Sequence, residues 1–348
     1  MSEVVRVLVV DDSAYVRKVL KQMVSRSPFL EVVGTARNGE EALELVAELD
    51  PDVVTCDLNM PAMDGVAFVR EQMARRPLPI IIISVASQAA EPVLAALEAG
   101  AIDFVQKPTA LATDKLLDIA DELVDKVKAA AGTPRTAFRR TAVNPAVLSP
   151  ILLPRTGAAA VDIVVLGTST GGPQALKMVL PTLPSDFPVP LAMVLHMPPG
   201  YTEAYARKLD ELCAFRVIEA QGGETVEGGT AFLAPAGRHL TFVKQPNGTV
   251  VTRLDLRPLD TPHRPAVDVL FQSAAAIFGP RVLGVVMTGM GTDGLLGAAH
   301  IKAQGGRIAT EAESSCVVYG MPRAVAEASL SDRSATLEEM ADVIAELI

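Results

Sequence analysis

Short, almost continuous apolar runs alternate along the first third of the chain with stretches carrying Leu, Val and Ala at three- and four-residue spacings. A continuously apolar run of this length reads as a strand covered on both faces, and the intervening period is that of a helix with one buried stripe. Val4–Val10, Leu30–Ala36, Asp52–Asp57, Pro79–Val85 and Ile102–Gln106 predict five strands. Ala14–Ser25, Glu40–Leu49, Val66–Arg75, Glu91–Ala99 and Leu111–Ala131 predict the helices between them. The result is a fivefold βα repeat, and so a parallel sheet between two helical layers, over residues 1–131.

The pattern then breaks. Pro134, Pro145, Pro150 and Pro154 interrupt any long helix, and Arg135, Arg139, Arg140 and Arg155 occur without an acidic neighbour, which predicts a linker over 132–158. Its Val147, Leu148, Ile151, Leu152 and Leu153 are too apolar for a freely solvated tether, so parts of it are expected to pack on a neighbouring domain. Apolar runs return at Ile163–Leu166, Leu191–Leu195, Phe215–Ile218, Thr230–Leu233, Val282–Met287 and Arg307–Thr310, mostly with helix-length segments between them. They predict a second, doubly wound α/β domain over 159–348. His239–Lys244 and Thr249–Leu254 flank Asn247-Gly248, a pair that tolerates positive φ, and predict an antiparallel hairpin decorating that sheet.

Composition narrows the function. The 348 residues carry 31 Lys and Arg against 41 Asp and Glu, a net charge of −10 that disfavours phosphate backbones and anionic lipid unless a basic patch is segregated. No basic helix-turn-helix follows the first domain, which argues against DNA as a partner. Cys56, Cys213 and Cys316 stand far apart, fitting neither a disulfide framework nor a zinc site. No apolar run approaches a bilayer span and the first residues lack a secretory pattern, so a cytoplasmic protein without direct membrane insertion is expected.

In the first domain Asp11 and Asp12 end one predicted strand and Asp57 another, and strand carboxyl ends converge at the switch point of such sheets. Clustered carboxylates repel, and a hard divalent cation such as Mg²⁺ relieves them. Ser84 and Lys107 follow the next two strands and would offer a hydroxyl and a compact positive charge to a phosphoryl group. Asp11-Asp12, the run from Asp57 through Asn59, Met60 and Met63 to Gly65, Ser84, and Phe104-Val105-Gln106-Lys107-Pro108 occur in that order. Together they resemble the receiver domain of bacterial response regulators, a flavodoxin-like (βα)5 fold. The resemblance implies that Asp57 accepts a phosphoryl group from a histidine kinase. It also implies Mg²⁺ on Asp11, Asp12, Asp57 and the Asn59 carbonyl, and switch roles for Ser84, Phe104 and Lys107.

In the second domain Gly167-Thr168-Ser169-Thr170-Gly171-Gly172-Pro173 joins a predicted strand to a predicted helix. Such a turn serves either a phosphate cradle or a nucleophile elbow, and the motif alone does not choose. His196 closes the strand Leu191–Leu195, and Asp293 follows the strand Val282–Met287 within Thr288-Gly289-Met290-Gly291-Thr292-Asp293-Gly294. A hydroxyl, an imidazole and a carboxylate at neighbouring strand ends fit nucleophilic catalysis, and the glycines around Met290 leave N–H groups for an oxyanion. His239, before the hairpin, His263, in a loop, and His300, inside a helix, lack that placement. Taken singly, Ser169 in its turn, a turn histidine at 196 and a helix-capping Asp293 each have an ordinary structural explanation.

Around these residues, and through Phe232–Leu240, Arg264–Phe271 and Cys316–Pro322, the second half resembles the catalytic domain of the chemotaxis protein-glutamate methylesterases, the CheB family. The resemblance implies Ser169 as nucleophile, His196 as base, Asp293 as orienting acid and the Met290 N–H as oxyanion donor, with no cofactor in the esterase site. It implies hydrolysis of glutamate methyl esters (EC 3.1.1.61), and glutamine deamidation (EC 3.5.1.44), on chemoreceptors, activated by phosphorylation. Thr168 departs from the usual alanine of that turn, and His263 stands where an aromatic residue is common. The alternative is a response regulator whose output domain binds a partner without catalysis. A generic α/β-hydrolase fits less well, because there the acid precedes the histidine.

Overall fold

The computed structural model describes residues 4–85, 90–107, 113–133 and 160–348. Apart from Gly132 and Thr133, the predicted linker lies outside them. They form two compact units, each with its own sheet. Among the described residues no helix is long and apolar enough to cross a membrane.

The first unit alternates β1 (Val5–Val10), α1 (Ala14–Val24), β2 (Leu30–Ala36), α2 (Gly39–Leu49), β3 (Val53–Asp57), α3 (Gly65–Arg75), β4 (Ile80–Val85), α4 (Ala90–Ala99), β5 (Asp103–Lys107) and α5 (Thr113–Ala131). The sheet order is β2-β1-β3-β4-β5 with every pairing parallel, so the chain reverses direction across the sheet between β1 and β3. Val7–Val10, Val53, Val54 and Ile80–Ile83 are buried, as expected of strands covered on both faces. Side-chain caps fix three helix starts behind the strand-end loops: Ser13 accepts from Val16 N, Asn38 from Glu41 N and Asp64 from Ala67 N.

The second unit contains β6 (Ile163–Thr168), α6 (Gly172–Val179), β7 (Leu191–Leu195), α7 (Thr202–Leu212), β8 (Arg216–Glu219), β9 (Thr230–Leu233), β10 (His239–Lys244) and β11 (Val250–Asp255). These are followed by α8 (Val267–Phe278), β12 (Val282–Val286), α9 (Leu295–Ala303), β13 (Arg307–Glu311), α10 (Met321–Glu327), β14 (Arg333–Ala335) and α11 (Met340–Leu347). Seven parallel strands run in the order β14-β13-β12-β6-β7-β9-β8. The central strand β6 is buried throughout and has β12 on one side and β7 on the other, so the switch point lies at its carboxyl end. Gly167 in β6 is required by packing: a Cβ there would sit 2.2 Å from the Val267 side chain, and its absence lets the start of α8 close on the strand.

The hairpin forms as expected, with Gly248 at φ 88° and Lys244 opposite Val250. It pairs as a separate two-stranded sheet rather than extending the larger one. β14, only three residues long and partly exposed, carries too little apolar pattern to be foreseen.

Candidate active site and phosphoryl-acceptor site

At the carboxyl edge of the first sheet, one carboxylate oxygen from each of Asp11, Asp12 and Asp57 lies within 4.8 Å of the others. Asp11 and Asp57 are buried and Asp12 is exposed. Lys107 Nζ reaches both buried acids, 2.6 Å from Asp11 Oδ2 and 2.8 Å from Asp57 Oδ1. Burial raises the Asp57 carboxyl above its ordinary range and Asp11 adds to the rise, while Lys107 only partly opposes it. Three carboxylates facing one ammonium leave excess negative charge among hard oxygen donors, a set that fits Mg²⁺. Gly65 is needed here, since a Cβ would lie 2.2 Å from the Asp57 carbonyl oxygen. Ser84 and Phe104 are both buried, and Lys126 Nζ stands 5.9 Å from the centre of the Phe104 ring. Asn59 is exposed on the loop after β3. Met63 packs over Gly39, a packing role rather than a ligand role.

At the corresponding edge of the second sheet, β6, β7 and β12 bring the Ser169, His196 and Asp293 loops together. Thr168 pairs with Leu195 across β6 and β7, and His196 N donates to the Thr168 carbonyl at 3.2 Å, so His196 enters beside the seryl turn. His196 Nε2 lies 2.8 Å from Asp293 Oδ2. Asp293 also accepts from Val267 N at 2.8 Å and Asp268 N at 2.9 Å, the first amides of α8. Burial alone raises the Asp293 carboxyl, but the His196 hydrogen bond and charge and the two amides outweigh it and hold it below the ordinary range. An ionised Asp293 is acceptor-only, so Nε2 carries the proton and Nδ1 the lone pair. That Nδ1 is buried and has no hydrogen-bond partner among the described residues, so the expected Ser169–His196 bond is not closed here. Such bonds often tighten only once substrate is present.

Asp293 caps α8 rather than its own helix. Asp268, in the first turn of α8, returns the bond: its Oδ1 accepts from Gly294 N at 2.9 Å and Gly297 N at 2.7 Å at the start of α9. The two helix N-termini are thus cross-capped by carboxylates, which suits the positive ends of both dipoles. Burial raises the Asp268 carboxyl, and the charge of Asp293 adds to the rise against those amides.

The seryl turn hangs on Thr288. Its carbonyl accepts from Ser169 N at 3.0 Å and from Thr168 Oγ1 at 2.7 Å, and its hydroxyl donates to the Thr170 carbonyl at 2.9 Å. Gly289 N donates to the Val318 carbonyl, which removes it from the open N–H groups, whereas Met290 N has no acceptor among the described residues. Gly289 also has no room for a side chain, because a Cβ would lie 2.9 Å from Ser169 Cβ. Sequence reasoning missed Thr288, Asp268 and the buried Glu311, whose carboxyl accepts from Thr288 N at 2.8 Å. Glu311 ends a strand, as Asp57 does, and that placement was the signal available for it.

The other histidines separate by environment. His239 is fully buried, accepts from Ala266 N through Nδ1 and faces the Pro258 carbonyl through Nε2. Burial lowers its pKa, leaving a neutral structural imidazole. His300 faces its own helix, with Nδ1 2.8 Å from the Leu296 carbonyl. His263 stacks on His196, ring centres 4.1 Å apart, a contact that its loop position did not foretell.

Comparison with known proteins agrees with this architecture. Residues 164–344 match the CheB methylesterase family and residues 7–120 the response regulator receiver domain. A Myxococcus xanthus protein-glutamate methylesterase/protein-glutamine glutaminase is 52% identical over 97% of this chain and 96% of its own length. A Halalkalibacterium halodurans protein of the same description is 43% identical over 99% of this chain and 98% of its own. The crystal structure of the Thermotoga maritima CheB methylesterase catalytic domain superposes with a TM-score of 0.53 at 40% identity, covering 54% of this chain and 99% of that one.

Proposed function

The chain belongs to the CheB methylesterase family, and from that premise we propose that it is a phosphorylation-activated hydrolase of glutamate methyl esters on chemoreceptors that also deamidates receptor glutamines. In this reading residues 1–131 are the receiver, 132–158 the linker and 159–348 the esterase.

Ser169 Oγ attacks the γ-carbonyl carbon and passes its proton to His196 Nδ1, while Asp293 holds the Nε2 proton and the positive charge that develops on the ring. The Met290 N–H donates to the oxyanion. His196 returns the proton to the departing methanol, or to ammonia from a glutamine side chain, leaving an acyl-serine. Water, deprotonated by the same Nδ1, then releases the carboxylate and restores Ser169. No cofactor enters these steps.

The observation that carries the reading is the His196–Asp293 pair, clamped at strand ends beside the seryl turn with Nδ1 buried and unengaged. An unsatisfied buried nitrogen costs about 1–3 kcal/mol, a cost that a purely partner-binding output has no use for.

In the receiver, Asp57 accepts the phosphoryl group from a chemotaxis histidine kinase, and Lys107 pairs with the added charge. Asp11, Asp12, Asp57 and the Asn59 carbonyl would hold Mg²⁺, which when bound neutralises charge on the phosphoryl oxygens. Ser84 and Phe104 would relay the change. Receptor tails and kinase are cytoplasmic partners, and neither nucleic acid nor membrane insertion is required. A nearly complete switch between inactive and active states needs about 5.5 kcal/mol of differential stabilisation.

The test measures methanol released from methyl-labelled receptor with and without a small-molecule phosphodonor, for the native chain and Asp57→Asn. Stimulation in the native chain that is lost in the variant supports the reading. An absence of methanol from the native chain under both conditions contradicts it.

A further inference from the structure

One buried acid belongs to neither proposed chemistry. Glu311 ends β13 fully buried; its Oε2 accepts from Thr288 N at 2.8 Å and its Oε1 from Ser315 Oγ at 3.0 Å. No lysine or arginine pairs with it among the described residues, and the nearby groups that bear on it are Ser315, Cys316 and the like-charged Glu338. A buried carboxyl without a counter-charge is costly, and an apolar side chain would fill the same space more cheaply. What distinguishes the position is its partner. Thr288 holds the Ser169 N–H and Thr168 hydroxyl on its carbonyl, binds Thr170 and Val318 through its hydroxyl, and leads directly into Gly289 and Met290.

Resting on the esterase reading, we propose that Glu311 is a positioning residue of the esterase, which by holding the Thr288 amide sets the depth of Ser169 and the direction of the Met290 N–H. Without the carboxyl, the Thr288 N–H is buried and unpaired, a state that buried donors avoid. The peptide relieves this by turning, and the turn passes to the next two peptide units, which carry the acceptor for Ser169 N and the Met290 donor. A displacement of about 1 Å at a reacting group lowers turnover on the order of 100-fold. Burial pushes the Glu311 carboxyl up to about 7 against the opposing pull of Thr288 N and the Ser315 hydroxyl, so the Thr288 amide proton should report its charge state near neutrality.

The experiment uses the full chain with a phosphodonor and methyl-labelled receptor, comparing native protein, Glu311→Ala, Glu311→Gln and Ser169→Ala. Glu311→Ala is expected to lower kcat by roughly 100-fold with little change in KM. Glu311→Gln should recover most of kcat, because its carbonyl still accepts from Thr288 while the Ser315 hydroxyl turns to accept from the new amide. The Thr288 amide proton should shift with pH in the native chain and stop shifting in Glu311→Gln. A near-native kcat in Glu311→Ala overturns the proposal. If that variant does not fold, an unchanged pH shift of Thr288 in Glu311→Gln overturns it instead. Full activity in Ser169→Ala overturns the esterase reading and this proposal together, whereas loss there beside native activity in Glu311→Ala overturns this proposal alone.

Discussion

Replacing Asp293 with Asn removes one charge and one acceptor at the point where the proposed base is held. Three donors converge on that carboxylate: His196 Nε2 and Val267 N on Oδ2, and Asp268 N on Oδ1. An Asn amide group turns a donor towards one side or the other, so at least one of these bonds is lost in either orientation. The loss costs about 1–2 kcal/mol of stability, the scale of a helix cap, and should lower Tm by roughly 2–4 °C per kcal/mol in a domain of this size. The larger effect is on rate. When His196 takes the serine proton, its positive charge stands about 4 Å from where the carboxylate charge was, worth roughly 4 kcal/mol at an effective dielectric of about 20. Asp293→Asn should therefore lower kcat on the order of 1,000-fold. Asp268→Ala is the matched control: it removes the reciprocal cap on Gly294 and Gly297, both of which rest on its Oδ1, but leaves the His196 partner charged. Its stability loss should be similar and its kcat should stay within about tenfold of native. Methanol release and thermal unfolding on the two variants decide the matter. A folded Asp293→Asn chain with near-native kcat, or an Asp268→Ala chain equally crippled, refutes the electrostatic argument.

Two further outcomes follow from buried groups. Glu311 is pushed from the ordinary 4.5 to about 7, so between those values the folded chain holds more protons than the unfolded one and stability falls as pH rises. Urea unfolding should show Glu311→Gln gaining on the native chain from pH 5 to pH 8 by roughly 2–3 kcal/mol, and parallel stabilities would contradict this. At Gly65 an added Cβ would meet the Asp57 carbonyl oxygen at 2.2 Å and Leu58 Cα at 2.8 Å, backbone that must shift. Gly65→Ala should lose phosphodonor stimulation and keep the unstimulated rate, and retained stimulation would show that the Asp57 loop tolerates the shift.

The strands that carry both sites were legible because they are apolar without interruption. β3, β6, β7 and β12 are buried along their whole lengths, and the residue that closes or follows such a run falls at a strand end where ligands meet. That reasoning places Asp57, Ser169 and His196 without any tertiary information. It stops at contacts between elements distant in sequence. The strand pattern puts Asp293 after β12 as the candidate acid, with a cap on the helix that follows it as the ordinary alternative, and only the folded chain brings the amides of Val267 and Asp268 to it. Thr288 has no pattern to mark it, since its role comes from three backbone contacts made by other segments. Thr168, a departure from the family's usual alanine, gives its hydroxyl to the Thr288 carbonyl and so joins the same knot. The stack of His263 on His196 depends on the fold of the 256–265 loop, in which the buried His239 binds the Pro258 carbonyl and Ala266 N.

The most direct test of the central claim is Ser169→Ala in the phosphodonor-treated chain, with methanol release and receptor affinity measured on the same preparation. Hydrolysis through the serine predicts that methanol falls to background while receptor binding stays at the native level. Methanol release undiminished by the substitution would contradict it.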